Sequence, residues 1–194
     1  MTGGLPSWWT SAFPDAPPLG HRLRLAYPDR WLRIHSLPES RRYPSDAAEL
    51  ELLLDRHQAV ADELLGRERA CMLVTPTWTP AELGERRTLA ACFDAREFEC
   101  VAVEAEPDPD DPVGRWTCFW ALETTWDPAR DRAIVAEVAD DQLRAVWLSF
   151  DGPHGPEVYA PYDGGADLIL ADPARRGALA SRWAAWLSRR PDGM

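Results

Sequence analysis

The chain has 194 residues, 45% of them hydrophobic and 27% charged, and these proportions exclude a collagenous, low-complexity or wholly disordered protein. At this length one compact domain buries roughly 70% of the surface that its unfolded chain exposes, so a core forms without disulfides or metal. The 21 basic residues, all arginine, stand against 32 acidic ones, and the net charge of −11 disfavours nucleic acid and anionic membranes as partners.

The first predicted elements are an arm and a hairpin. Residues 1–20 hold several aromatic side chains among Gly and Pro, so we expect this arm to dock on the rest of the chain. Two alternating apolar runs follow at 21–27 and 31–37, with turn residues between them. They predict a β-hairpin in which Arg24 lies on the strand beside Arg33.

A long helix is predicted at about 46–65. Ser45 suits its N-cap, and Gly66 suits its C-terminal end. Apolar residues spaced three and four apart indicate the face that packs on the sheet. This stripe consists of Leu50, Leu53, His57, Val60 and Leu64. Because His57 loses solvent on this face, it is either a general base or a core histidine satisfied by one carboxylate or carbonyl.

Strands predominate in the middle of the chain. They are predicted at 70–74, 98–105, 116–125, 144–150, 157–162 and 167–170. A capping box at 79–82 opens a short helix, and Asp-Pro pairs open helices at about 128–138 and 173–188. An acidic, proline-bearing loop at 106–114 joins two of these strands.

This order of elements predicts an α+β fold with a mostly antiparallel central sheet. The long helix at about 46–65 and the C-terminal helix at about 173–188 pack on that sheet. We expect a single domain at 21–194, with 1–20 as its docked N-terminal arm.

Two polar segments, 33–43 and 161–167, are candidates for a binding site. The first places arginines and a histidine on one face of a predicted strand. The second carries two glycines between carboxylates, which permits close approach of a ligand or another backbone. The candidate binding residues are Arg33, His35, Arg41, Arg42, Tyr162, Asp163, Gly164, Gly165 and Asp167.

A charge argument predicts that these two segments meet. The arginines on and after the predicted hairpin need counter-charges, so we expect Arg33 or Arg41 against Asp163 or Asp167. Arginines nearby lower the pKa of His35 and favour a neutral imidazole, which makes His35, Asp163 and Asp167 candidate catalytic residues. The alternative is that these arginines are structural and pair with carboxylates or lie under a helix.

The sequence lacks the motifs of common cofactor and metal sites. Lysine is absent, which excludes Schiff-base chemistry and a phosphate-loop lysine, and no G-x-G-x-x-G, G-x-S-x-G or H-E-x-x-H occurs. The four cysteines stand in apolar surroundings without a C-x-x-C pair, which indicates reduced core thiols. We therefore expect no cofactor and no metal. With neither an export signal nor a long apolar run, we expect a cytoplasmic protein.

Acidic residues concentrate at 97–111, which holds seven of them and no basic residue. Such a region suits a basic protein partner such as a toxin, because charges at an interface accelerate association. The candidate residues of this partner surface are Glu104, Glu106, Asp108, Asp110 and Asp111.

The run Tyr-Asp-Gly-Gly-Ala-Asp-Leu-Ile-Leu at 162–170 is followed by a helix that ends in Trp-Leu-Ser. These features resemble a bacterial domain family of unknown function found near Rhs-type polymorphic toxin genes. The family pattern is a Tyr-Asp-Asp-Arg-Gly-x-Asp turn, an apolar strand and a helix closing on a Trp-Leu-Leu-like end. The likeness lies in the C-terminal third, and this chain has a shorter turn without arginine. The resemblance implies a toxin-gene context, in which small acidic cytoplasmic proteins often serve as immunity proteins.

Three functions stay open at this point. A protein-binding, immunity-like module is favoured by the acidic surface and by the lack of a catalytic motif. A small enzyme that uses His35 with Asp163 or Asp167 is the second hypothesis. A structural or stress-related protein without a ligand site is the third.

Overall fold

The computed structural model describes residues 5–79, 83, 87–108 and 111–188, with only the backbone described at 105–108 and 111–116. The strands are β1 (Trp31–His35), β2 (Ala70–Thr77), β3 (Glu99–Asp108), β4 (Asp111–Thr125), β5 (Val146–Ser149), β6 (Glu157–Tyr162) and β7 (Gly165–Ile169). The described α-helices are α1 (Ser7–Thr10), α2 (Gly20–Ala26), α3 (Ala47–Leu64), α4 (Arg87–Cys92), α5 (Pro128–Ala139) and α6 (Pro173–Arg182).

All seven strands join one antiparallel sheet in the order β1-β7-β6-β5-β2-β4-β3. Helices α3, α5 and α6 pack on one face, and α1 and α2 pack on the other. Central strands are therefore buried on both sides: Leu168 belongs to the first core and Ile169 to the second. Trp9 and Phe13 of the N-terminal arm are fully buried in the second core. The predicted α+β fold with a mostly antiparallel sheet is confirmed.

The prediction of a β-strand at 21–27 is wrong, because most of these residues form helix α2. Leu19 and Leu23 are four residues apart, and both are buried. Leu25, which strand alternation would have buried beside Leu23, is 74% exposed. A period of two and a period of 3.6 cannot be separated over so few residues. Arg24 therefore lies on a helix and not on a strand beside Arg33.

Helix α3 occupies the predicted position and buries the predicted face. Its N-cap is Asp46, whose carboxylate accepts a hydrogen bond from the Glu49 backbone N–H, and not Ser45. Leu53 and Val60 are fully buried, whereas Leu50 is only partly buried. No described helix combines the length and the apolar character that a membrane span requires.

The C-terminal helix is shorter than predicted. Helix α6 ends at Arg182, and a 3-10 turn follows at Ala184–Trp186. Trp183 leaves the helical conformation and is buried, and its ring stacks on that of Trp186 with centroids 5.8 Å apart. Burial of the Trp183 ring and its stacking on the partly buried Trp186 ring outweigh continuation of the helix.

The prediction of an acidic loop at 106–114 is wrong. Strand β3 extends to Asp108, and β4 begins at Asp111. Glu106 lies opposite Arg115 in the register, and an irregularity between Glu106 and Asp108 accommodates Pro107. Opposite charges across the ladder favour continued pairing. The predicted capping box at 79–82 lies, apart from Thr79, outside the described residues.

The two edges of the sheet differ. At the β1 edge, arginine side chains bond to backbone carbonyls: Arg176 Nε donates to Trp31 O at 3.1 Å, and Arg56 Nη1 donates to His35 O at 3.2 Å. These contacts occupy groups that would otherwise invite another strand. Among the described strands, the opposite edge is β3, which pairs with β4.

We predict that Gly165→Ala destabilises the protein by about 3 kcal/mol or more, at the upper end of overpacking costs. A Cβ at this position would lie 1.9 Å from the backbone oxygen of Ile34, which cannot move without disturbing β1. Gly177→Ala is the matched control: nothing lies within 4 Å of its Cβ position in α6, so it should stabilise the helix by about 0.5 to 1 kcal/mol. Urea unfolding measures both. Equal effects of the two substitutions would contradict the proposed close approach.

Candidate functional site

The two polar segments meet where β1 pairs with β7. Arg33 lies directly opposite Asp167 in the register. Its Nε and Nη2 donate to the two carboxylate oxygens at 2.9 and 3.1 Å, and Trp31 Nε1 donates to Oδ1 at 2.8 Å. The side chains of Arg33 and Asp167 are only 10% and 6% exposed. The predicted contact between the segments is therefore present as a buried, two-pronged ion pair.

The guanidinium of Arg33 is held by rings as well as by charge. Its central carbon lies 5.3 Å from the Trp31 ring centroid and 5.0 Å from that of Tyr162. Burial opposes the charged form, but the hydrogen bonds and the charge of Asp167 outweigh it and raise the pKa of Arg33. Burial raises the pKa of the Tyr162 hydroxyl to about 12. Near neutral pH, Arg33 is therefore charged and the Tyr162 hydroxyl is protonated.

A second, more exposed contact joins the segments beside the first. Arg42 Nη1 lies 3.4 Å from Asp163 Oδ2, and the Tyr43 hydroxyl donates to the same oxygen at 3.1 Å. The Arg42 side chain is 67% exposed. Arg41 does not take part: it binds Glu49 at the start of α3, because that carboxylate lies nearer along the chain. Hydrogen bonds from Arg41 and Ser45 lower the pKa of Glu49 to about 2.

His35 is buried at the end of β1 and forms no hydrogen bond with Asp163 or Asp167. Its Nε2 has no hydrogen-bond partner in the described structure. Burial, together with the charges of Arg33 and Arg56, lowers its pKa, so the imidazole is neutral. Catalysis by His35 together with a carboxylate requires a hydrogen bond between them, and the structure does not show one. This role of His35 stays a prediction.

The contacts of Arg33 and Arg42 lie at a cleft of about 520 Å³. Five of its lining residues were candidates from the sequence, namely Arg33, Arg42, Tyr162, Asp163 and Asp167. Four other charged or titratable residues complete it, namely His21, Arg24, Asp141 and Arg144. They come from two segments, 21–24 and 141–144. The sequence pattern placed only Arg24 near Arg33, and only the fold brings the other three to the cleft.

Gly164 and Gly165 do not line the cleft. Their role is to allow close packing of neighbouring groups against the backbone. A Cβ on Gly164 would lie 3.0 Å from Tyr162, and one on Gly165 would overlap the Ile34 carbonyl. Neither glycine has a positive φ, so close approach is the reason for both residues. The Gly164 carbonyl also accepts a hydrogen bond from the Ser36 backbone N–H at 3.1 Å.

His57 lies in the core between two hydroxyl groups. Its Nε2 lies 2.8 Å from Ser36 Oγ, and its Nδ1 lies 2.7 Å from the Tyr159 hydroxyl. All three residues are almost completely buried. Burial, with a smaller contribution from the charge of Arg56, lowers the pKa of His57 to about 4. This is a satisfied core histidine, although its partners are hydroxyls and not the predicted carboxylate or carbonyl.

The cysteines form no disulfide, and one of them is not in the core. Cys71 and Cys118 are buried, whereas Cys100 is exposed because β3 lies at the sheet edge. Burial raises the pKa of Cys71 to about 12, which keeps it a thiol. Within the described ranges, no group of three His, Cys, Asp or Glu residues is arranged to hold a metal.

The predicted partner surface lies on the β3–β4 hairpin. Glu104 is half-buried on β3. The backbone places Glu106 opposite Arg115 and Asp108 opposite Asp111, while Asp110 lies outside the described residues. The hairpin therefore carries like charges directly opposite each other near its tip.

A family model described as "Domain of unknown function (DUF3885)" matches residues 19–191. The match covers most of the chain, so the chain belongs to this family. It also extends well beyond the C-terminal third that carried the resemblance in the sequence. No curated protein and no solved structure matches the chain.

We predict that Asp167→Asn costs about 3 kcal/mol, because it leaves the buried guanidinium of Arg33 without a counter-charge. The exposed pair of Arg41 and Glu49 supplies the matched control, and Glu49→Gln should cost much less. Urea unfolding of Asp167→Asn, Arg33→Gln and the double variant gives the coupling energy. Additive effects of the two substitutions would show that the pair is not an energetic unit.

We predict that His57 makes the protein less stable in acid. The folded pKa of about 4 lies below the ordinary value of 6.5, so the unfolded chain binds a proton that the folded chain refuses. The stabilisation from this residue is complete above pH 6.5 and declines as the pH falls toward 4, by about 1.4 kcal/mol per pH unit. Unfolding free energies at neutral and acid pH, compared between wild type and His57→Gln, isolate this contribution. His154→Gln, at an exposed position, is the control. If His57→Gln loses as much unfolding free energy between neutral and acid pH as the wild type does, the prediction is wrong.

Proposed function

We propose that the protein is a binding module that engages a cationic protein through the acidic hairpin of β3 and β4, in the manner of an immunity protein. The observation that carries the proposal is the place of this hairpin. The region 97–111, with its seven acidic residues and no basic one, supplies the strand at the open edge of the sheet. A net charge of −11 adds long-range attraction for a basic partner.

Like charges at the hairpin tip support the proposal. Asp108 lies opposite Asp111 in the register, and carboxylates in that position repel each other. Folding does not require this arrangement, since a neutral or oppositely charged pair would stabilise the hairpin more. Cationic side chains of a partner would relieve the repulsion, so the surface is better suited to a complex than to the free protein.

The backbone of β3 provides a second means of binding. An edge strand carries N–H and C=O groups directed away from its one neighbour, and an extended segment can pair with them. At the β1 edge, Arg56 and Arg176 occupy such carbonyls, whereas within the described part of the chain β3 pairs with β4 and with no other strand. An extended, lysine- or arginine-rich segment of a partner therefore fits both the backbone and the charge of this edge.

The enzyme hypothesis has less support. Both oxygens of Asp167 accept hydrogen bonds from Arg33, and Trp31 donates to one of them. Asp163 is bonded to Tyr43 and lies beside Arg42. Carboxylates engaged in this way are poor general bases, and neither is bonded to a histidine.

The test uses a cationic strand as probe. A peptide of alternating lysine and valine, with a length matching the 10 residues of β3, is compared with its glutamate–valine twin. We expect the cationic peptide alone to bind, to protect β3 amides from hydrogen exchange, and to associate more slowly as salt rises. Binding without protection of β3, or equal binding of both peptides, would overturn the proposal.

We predict that the triple variant Asp108→Asn, Asp110→Asn, Asp111→Asn slows association with the cationic peptide at low salt by about tenfold and changes dissociation much less. The matched control neutralises three exposed carboxylates elsewhere, in Asp29→Asn, Glu68→Gln, Asp151→Asn. Surface plasmon resonance measures both rates. Equal slowing in the two triple variants would mean that net charge alone acts and that the hairpin is not the interface.

A further inference from the structure

The charge of the cleft lining is opposite in sign to the net charge of the molecule. Its lining carries four guanidinium groups and three carboxylates, a net charge of +1, in a chain with a net charge of −11. The arginines are Arg24, Arg33, Arg42 and Arg144. A concave surface with low-dielectric walls strengthens the attraction of an anion to these arginines.

Arg33 forms a fixed part of the wall. Asp167 engages its guanidinium on two nitrogens, and the rings of Trp31 and Tyr162 lie against it. Because Asp167 neutralises this cation, Arg33 contributes shape and hydrogen-bonding geometry more than net charge. The wall is preorganised, which reduces the entropy that a ligand loses on binding.

Arg42 and Arg144 are held more loosely. Arg42 is 67% exposed, and its contact with Asp163 at 3.4 Å is longer than a strong charge-assisted hydrogen bond. Arg144 is exposed, and its guanidinium lies 5.3 Å from the centroid of the Trp78 ring. Among the described residues, Arg144 has no ion pair with a carboxylate. Both side chains can reorient toward a ligand at small cost.

Two exposed aromatic rings accompany these arginines. Tyr43 follows Arg42 in the chain, and Trp78 lies beneath Arg144, and each ring is 52% exposed. Neither ring lines the cleft itself, but Tyr43 bonds to the lining residue Asp163, and the lining residue Arg144 lies over Trp78. Both rings therefore lie at the rim of the cleft, where a ligand that extends out of it can contact them.

We propose that this cleft binds a small-molecule phosphate ester, with the phosphate between Arg42 and Arg144 and a flat or apolar remainder against the exposed rings. The volume of about 520 Å³ suits a ligand of this size. A phosphate ester presents three terminal oxygens and up to two negative charges to two arginine forks, whereas a carboxylate presents two oxygens and one charge. The cleft already holds its own carboxylates, and the more highly charged phosphate competes better with them for the guanidinium groups.

The test is calorimetric titration of the whole protein with phenyl phosphate, which combines the phosphate with a ring. We expect saturable binding at one site per chain in buffer of about 50 mM salt, where screening is moderate. Benzoate, which carries a carboxylate on the same ring, should bind at least about tenfold more weakly. Inorganic phosphate should bind more weakly than phenyl phosphate if the rings contribute. Benzoate binding as tightly as phenyl phosphate would overturn the assignment of a phosphate.

Variants locate the site. Arg144→Gln and Arg42→Gln should each weaken phenyl phosphate binding about tenfold, and Trp78→Ala should weaken phenyl phosphate more than inorganic phosphate. Arg96→Gln is the matched control, because Arg96 is 90% exposed and pairs with Asp94 outside the cleft. All these side chains are on the surface, and thermal unfolding verifies that the variants are folded. Absence of binding to wild type, or equal weakening by Arg96→Gln, would overturn the proposal.

This inference is independent of the cationic partner at the hairpin. Neutralising Asp108, Asp110 and Asp111 should leave the phenyl phosphate titration unchanged. Replacing Arg144 should likewise leave binding of the cationic peptide unchanged. The two proposals can therefore fail separately.

Discussion

The buried ion pair between Arg33 and Asp167 fixes how strand β1 joins the sheet. A slip of one residue would turn Arg33 toward the apolar core beneath helix α3 and leave Asp167 without a counter-charge, at a large cost in free energy. The same register brings Gly165 so close to the Ile34 carbonyl that a Cβ would not fit there. The cleft depends on this arrangement, because the pair forms part of its wall.

Arginine is the only strong cation of this protein, and the fold uses its planar fork repeatedly. Arg30 donates to the Leu170 carbonyl, and Arg56 and Arg176 bond to carbonyls of β1. Arg175 joins carboxylates of α3 and β6. Side chains that bridge separate elements in this way close one edge of the sheet, and they leave β3 as the edge at which another strand can add.

Charge is distributed unevenly across the molecule. The cleft brings arginines together, while the hairpin of β3 and β4 includes the acidic region 97–111. Membership in a family of unknown function assigns no activity to either place. We propose different partners for the two surfaces, an anionic small molecule for the cleft and a cationic protein for the hairpin. Neither requires the protein to catalyse a reaction.

The amino-acid sequence by itself determined the α+β class, the face of α3, and the helix starts at Asp127 and Asp172. It also predicted that the two polar segments meet, and the structure selected Arg33 with Asp167 from the four pairings that the sequence left open. These features follow from local patterns or from charges that require a partner. Only the tertiary structure decided that 20–26 is helical, because packing selects between two periods that a short segment cannot distinguish. The tertiary structure likewise decided which residues line the cleft. His21, Arg24, Asp141 and Arg144 lie there beside residues from other segments of the chain. Such convergence depends on how strands and helices pack, and no local pattern of residues encodes it.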